Sequence, residues 1–246
     1  CVPSAITAVE RRAVIEATKR AGAADAQLLE QPMAAAIGAA LPINEPVANM
    51  VVDVGGGTSE TALISLGGIV ALRAVRVGSF DLDSAIIQYI RREYGIAIGE
   101  QTAEQIKVTI GSAHETDGEV CAEVRGRELM SGLPRTVVLT PEEVRGALEE
   151  PVTTMVDSVL SCVGEAPPEL AQDLLESGIN LVGGGALLKG LDIRIANASG
   201  VAVQVVQQPL ESVVLGAGRI VENWEALKDM FMHSRLQSGS GSMRGR

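Results

Sequence analysis

The sequence predicts an α/β fold on a mixed sheet, and three observations carry that prediction. Strand-type and helix-type runs alternate along the chain. Two buried-type strands, at Asn49–Val54 and at residues 178–182, each end in a glycine triplet. A tight Gly67-Gly68 turn joins a second strand to a third, so antiparallel neighbours sit among the parallel ones.

The elements follow in order. Residues 10–21 (ERRAVIEATKRA) place apolar side chains at helical spacing, and Gly22 ends the helix. Residues 26–30 (AQLLE) read as a short strand. Pro32 opens the next helix at its first position, where a missing N–H is no loss. Residues 33–41 (MAAAIGAAL) are small enough to let another backbone pack close, and a tightly buried core helix is their simplest reading. After Asn49–Val54 come strands at 62–66 and 69–77, then an amphipathic helix at 81–94 closed by Gly95. Thr102 with Gln105 three later fits a capping box for a helix at 103–110.

Residues 115–127 are polar and alternating, as in an exposed hairpin. Thr140-Pro141-Glu142-Glu143 is a second capping box. Pro151 divides that helical region from the next, which ends near Gly164. Pro167-Pro168 starts a helix to about Ser177. A helix at 186–198, a strand at 201–206 and a long helix at 209–227 complete the order. From Gln237 the run QSGSGSMRGR reads as a disordered tail.

Composition excludes several functions. The 246 residues are 46% hydrophobic and 21% charged, which is globular material with room for two lobes. A net charge of −11 speaks against a duplex-DNA binder, and 2% aromatics against stacking on single strands, so no nucleic-acid partner is expected. Three cysteines at no metal spacing argue for a reducing cytoplasm, and two distant histidines against a His-rich zinc site. No apolar run approaches the ~18 residues of a membrane span. The start, Cys1-Val2-Pro3, has no signal-peptide character and no initiator methionine, so the chain reads as beginning inside a domain.

The glycine triplets carry the chemistry. Phosphate oxygens need several backbone N–H donors converging at close range, without side chains in the way. A single triplet is more simply a tight turn. Two of them, Gly55-Gly56-Gly57 and Gly183-Gly184-Gly185, with Asp53 ahead of the first, point to a nucleotide. The first leads through Thr58-Ser59 into a strand, so it is neither a P-loop nor a Rossmann loop. The second leads into a helix, whose N-terminus favours an anion or packs against a base. Asp53 suits magnesium held through water.

The run VVDVGGGTSETALISLGGIV resembles the second phosphate hairpin of the actin, heat-shock-chaperone and sugar-kinase superfamily. ERRAVIEATKRAGA, LLEQPMAAAIGAALP, GEQTAEQIKVTIGSA, VRGRELMSGLPRTVVLTPEEV and PPELAQDLLESGINLVGGGALLKGLD are similar, in order, to blocks of the MreB family of bacterial actin homologues. The resemblance runs from Cys1 to about Val221. It implies an actin-like ATPase fold with ribonuclease H-like mixed sheets. It implies ATP with Mg2+ as ligand, self-association into filaments, location in the cytoplasm at the membrane surface, and a role with cell-wall synthesis proteins in setting rod shape. The domain reading is a remnant of domain I with the interdomain helix (1–42), then domain II (43–208). Domain II divides into a core at 43–98 and 165–208 and a small subdomain at 99–164. Helices at 209–236 return to domain I, ahead of the tail at 237–246.

Carried over by position, Gly55, Gly56, Gly57 and Thr58 match the phosphate hairpin and Asp53 its metal-side carboxylate. Glu104 and Lys107, with Gln105 between them, match the ribose and adenine contacts. Glu104 and Lys107 stand three apart on one helix and share a face, although a surface ion pair explains that spacing equally. Gly183, Gly184, Gly185 and Ala186 match the loop flanking adenosine.

Four departures stand out. Gln31 occupies the place of the family's water-addressing glutamate; glutamine orients water without accepting a proton, which implies slow hydrolysis. Ser59 replaces a threonine and keeps its hydroxyl. Gly78-Ser79-Phe80 stands for the family's Gly-Gly-Asp, with Asp81 and Asp83 close by. The family's first phosphate hairpin would lie upstream of Cys1, so this piece alone is expected to bind ATP weakly and to hydrolyse it negligibly.

Residues 224–236 read as a final helix packed on domain I, with a membrane-surface helix as the alternative. The competing functions are a non-hydrolysing filament scaffold, which Gln31 and Phe80 fit, and another member of the superfamily, such as a chaperone ATPase or sugar kinase.

Overall fold

The computed structural model describes residues 1–115 and 120–227. A five-stranded sheet in the order β3-β2-β1-β7-β8 organises it. Its strands are β1 (Asn49–Val54), β2 (Ser59–Ser65), β3 (Gly68–Val75), β7 (Ile179–Val182) and β8 (Val203–Val205). β1 pairs antiparallel with β2 and parallel with β7, so the sheet is mixed, as the alternation of elements predicts.

Every residue of β1 and β2 is buried, so both faces of the sheet are covered. Met50, Val52, Val54 and Leu63 join one core with Leu82 and Ile86 of α3 (Ser79–Tyr94) and Met155 and Val159 of α5 (Pro141–Gly164). Val51, Ala62, Ile64 and Val182 turn the other way, onto Met33 to Ile37 of α2 (Gln31–Gly38) and Ile220 of α8 (Ser212–Glu222). The strand period of two thus divides one apolar strand between two cores.

The small residues of α2 meet α8 backbone to backbone. A methyl on Gly38 would collide with the Ser212 carbonyl, and one on Gly216 with the Ala34 carbonyl. Arg219 of α8 also donates to the Ile37 carbonyl (2.5 Å) at the end of α2.

The remaining elements are α1 (Ala8–Arg20), α4 (Glu100–Ile110), α6 (Pro168–Ser177), α7 (Leu191–Ser199), α9 (Trp224–Leu227) and a three-stranded sheet of β4 (Ile96–Ala97), β5 (Ala122–Glu128) and β6 (Pro134–Leu139).

Several expectations are corrected. Residues 26–30 form no strand; their single pairing is a bridge between Val2 and Glu30. Thr102 does not cap α4, which starts at Glu100 behind Gly99 because the chain turns into it almost directly from β4. A reciprocal capping box is instead present at Thr7 and Glu10, at the start of α1. The hairpin lies at β5–β6, further along than residues 115–127.

Pro151 does not divide α5, which runs through it. Leu148, Val152, Met155, Val159 and Cys162 make one buried stripe across the proline, and that burial outweighs the ~3 kcal/mol of an interior proline. The expected helix at 186–198 is a 3-10 turn at Gly184–Leu187 followed by α7, separated where Lys189 bridges to Ser112 and Gly190 turns left-handed (φ +74°). The helix expected at 209–227 breaks at Asn223 into α8 and α9. The tail expected at 237–246, and the part of the helix expected at 224–236 that follows Leu227, lie outside the described residues. No helix among the described residues is long and apolar enough to cross a membrane.

Candidate functional site

The site forms where β1 and β7, parallel neighbours, reach their C-terminal ends together, with Asp53 in register with Val182. At the end of β1 the chain reverses in a turn closed by a Gly55 N–H to Thr58 carbonyl bond (2.9 Å). The start of α3 holds the outside of that turn: the Ser79 and Phe80 amides donate to the Gly55 and Gly56 carbonyls at 2.9 and 2.8 Å. Asp81 accepts from the Gly78 amide (2.8 Å) and so caps α3.

With the turn's carbonyls occupied, the Gly56 and Gly57 N–H groups have no protein acceptor among the described residues. A Cβ on Gly57 would meet nothing within 4 Å. Glycine here answers no packing demand of the protein; the space beside it and the two amide donors fit an oxyanion.

The second triplet has a different physical basis. Gly183 has φ +83°, and a Cβ on it would lie 2.5 Å from Asp53 Oδ1 and closer still to the Val54 carbonyl. A Cβ on Gly185 would strike the Val54 side chain. These two glycines are required by contact with the end of β1, whereas Gly184 meets only Leu210, at 3.1 Å. Ala186 is buried in the 3-10 turn. The two triglycine bends are therefore adjacent, with Asp53 and Val54 between them.

Asp53 is 6% exposed, and burial lifts its carboxyl to about 6. Its cross-strand neighbour Glu60 is 1% exposed and also raised, first by burial, with the Asp53 charge adding to it. The Ser4 amide donates to both Glu60 oxygens (2.9 and 3.2 Å), and the Ser4 hydroxyl to one of them (3.2 Å). No group of three His, Cys, Asp or Glu side chains that could hold a metal occurs among the described residues. With the Glu60 oxygens taken by Ser4, Asp53 is the buried carboxylate left beside the phosphate-type turn, and it fits a magnesium ion held mainly by water and phosphate.

Lys107 does not pair with Glu104. Glu104 is exposed, while Lys107 is buried and its Nζ lies 2.9 and 3.0 Å from the two Asp83 oxygens and 2.6 Å from Ser79 Oγ. The lysine thus ties α4 to the first turn of α3, which itself holds the glycine turn. Glu104 lines a cavity of about 420 Å³ with Phe80, Asp83, Ile87, Glu100 and Gln101. Gln105 points elsewhere, into a depression with Thr109, Glu123 and Arg125. Phe80 is 69% exposed, and its ring leans over Gly56, where a Cβ would be 2.8 Å away.

Ser59 faces Val54 across the hairpin, and its hydroxyl donates to the Val77 carbonyl (2.7 Å). It stands on the strand face opposite to Asp53 and Glu60. Gln31 begins α2, half-buried, its amide bonded to the Val2 carbonyl (2.9 Å). The structure thus groups Asp53, Gly55 to Thr58 and Gly183 to Ala186, joins Lys107 to them through Ser79, and leaves Gln105 apart.

Sequence reasoning missed Asp83 and Ser79 as the partners of Lys107, and Glu60 as the partner of Asp53. The last was open to register arithmetic, since a turn closed between Gly55 and Thr58 sets Glu60 opposite Asp53.

Comparison with known proteins gives a consistent result. The family model described as MreB/Mbl protein matches residues 1–229. The cell shape-determining protein MreB of Escherichia coli K12 is 50% identical over 222 residues, 90% of this chain and 64% of that protein. The chain thus spans 64% of the length of that curated relative. The crystal structure of Spiroplasma citri MreB5 bound to AMPPNP aligns with a TM-score of 0.87 at 34% identity, over 92% of this chain and 68% of that one. The MamK double helical filament aligns with a TM-score of 0.73 at 18% identity, over 90% and 67%, and supports the actin-like fold.

Proposed function

The chain belongs to the MreB/Mbl family, and from that premise we propose that it is the nucleotide-gripping part of an ATP-binding, filament-forming protein that sets cell shape. The observation that supports this best is the Gly55–Thr58 turn, with its two unclaimed amide donors, open space at Gly57 and Asp53 at its base. The Gly56 and Gly57 amides bind phosphate oxygens, which costs little because α3 already holds the turn in shape. Asp53 supports magnesium through water; when bound, magnesium supplies charge neutralisation on the phosphates. The cavity beside Glu104 and Phe80 takes the nucleoside, and the Gly183–Ala186 bend closes the other side. Gln31 orients water and cannot take its proton, so hydrolysis by the complete protein is slow.

Assembly with further copies, attachment to the inner face of the membrane and direction of wall synthesis belong to the same proposal, as activities of the whole filament. One observation favours a second reading, a scaffold that binds nucleotide without cleaving it: Phe80 rests its ring on Gly56, within the phosphate turn.

Isothermal titration of AMPPNP with magnesium tests the nucleotide reading. Saturable heat from the chain at high nucleotide concentration, and none from Gly57→Val, is the expected result. A Cβ on Gly57 meets nothing within 4 Å, and a circular dichroism spectrum matching the parent's checks that the variant folds. Equal heats from both proteins, or none from either, would overturn the reading.

A further inference from the structure

Glu60 contacts a segment far from it in sequence. Its carboxylate takes the Ser4 amide and hydroxyl, which lie 56 residues upstream. Two residues before Ser4, Val2 makes two bonds to the chain that enters α2: its N–H donates to the Leu29 carbonyl and its carbonyl accepts from Gln31 N–H, both at 2.9 Å. The segment 2–4 is therefore a short strut. One end stands on Glu60 of the central sheet and the other on the first residue of α2. Glu60 itself faces Asp53 across the hairpin that carries the triglycine bend.

Burying a second carboxylate beside Asp53 is unfavourable unless its charge is met by donors. Val or Thr at position 60 would fill a strand site without that cost. The donors that meet the Glu60 charge come from the strut, and this gives the unfavourable placement a use.

We propose that Glu60 is a positioning residue: by anchoring Ser4 it sets the strut, and through the Val2 carbonyl it fixes where α2 begins, and so where Gln31 stands relative to the phosphate turn. This inference rests on the nucleotide reading only for what Gln31 is positioned against. The strut itself is a property of the chain without ligand.

Residue-resolved amide hydrogen exchange on the whole chain tests it. In Glu60→Ala, exchange is expected to quicken at least tenfold at Ser4 and also at Gln31, which Glu60 does not touch. In Glu60→Gln, whose side-chain oxygen still accepts from Ser4, protection at both amides is expected to return to within threefold of the parent protein. That rescue by shape and acceptor separates positioning from a general loss of stability, which would quicken β1 and β2 amides as well.

Quickening confined to Ser4, with Gln31 unchanged, would overturn the strut. Quickening spread evenly over the sheet would overturn it too. In the parent protein, the effect of AMPPNP with magnesium on the Gly56 and Gly57 amides judges the phosphate reading alone, so the two ideas fail separately.

Discussion

Asp53→Asn tests the electrostatics of the site most directly. Burial raises the Asp53 carboxyl to about 6, from 3.8 in an open chain. The folded state therefore holds a proton over that interval which the unfolded chain has released. Stability must then fall as pH rises through the window from about 4 to about 6, and stay reduced above it. The gap of about 2 pKa units corresponds to about 3 kcal/mol. Asp53 is 6% exposed, so solvent screening takes little of this away.

Asparagine carries no charge at any pH. The difference in unfolding free energy between Asp53→Asn and the parent should therefore change by about 2 kcal/mol between pH 4.5 and pH 7.5, moving in favour of the variant, because the remaining ~1 kcal/mol is already lost below pH 4.5, where the unfolded carboxyl ionises. Any fixed cost of placing the amide is the same at both pH values and cancels. Relief of Glu60, whose carboxyl the Asp53 charge pushes up, acts in the same direction. Urea unfolding followed by circular dichroism, with EDTA present, reads the difference. A difference that does not vary with pH, or that turns against the variant as pH rises, would refute a buried charged Asp53 as a source of instability.

Two further tests address packing and the ion pair. Lys107→Met should cost about 3–5 kcal/mol because it strands the buried Asp83 carboxylate, and a second change, Asp83→Leu, should recover much of it; a loss under about 1 kcal/mol in urea unfolding would mean the pair behaves as a surface one. Gly216→Val should destabilise by about 3 kcal/mol or more through its collision with the Ala34 carbonyl, whereas Gly218→Ala, with nothing within 4 Å, should gain up to about 1 kcal/mol. Equal melting shifts for the two glycine variants would show that α2 and α8 do not pack through their backbones.

The local chemistry of the first triglycine bend is readable in the chain. Asp53, Gly55 to Thr58 and Ser59 lie within seven residues, and a hairpin needs only a short turn to bring them together. The capping box at Thr140 and the helices at Pro32 and Pro168 are equally local, and all three helices form. Pro151 misleads for the opposite reason. Its local cost is plain in the sequence, whereas the stripe from Leu148 to Cys162 that overrides it acts only once the sheet is beneath. Lys107 is another such case. Its spacing from Glu104 suggests a partner one turn away, yet Asp83, on the preceding helix, is the charge it meets on burial.

Hydrophobic period, glycine placement and capping chemistry are properties of neighbouring residues, and by themselves they determined the mixed α/β fold, the phosphate-type turn and its acidic base. Tertiary contact alone decided why Gly183 and Gly185 are glycine, which carboxylate Lys107 neutralises, and how Ser4 comes to stand on Glu60. The reason is physical. Desolvating a charge, or bringing two backbones into contact, makes demands that only a partner in space can meet, and sequence distance sets no limit on where that partner lies.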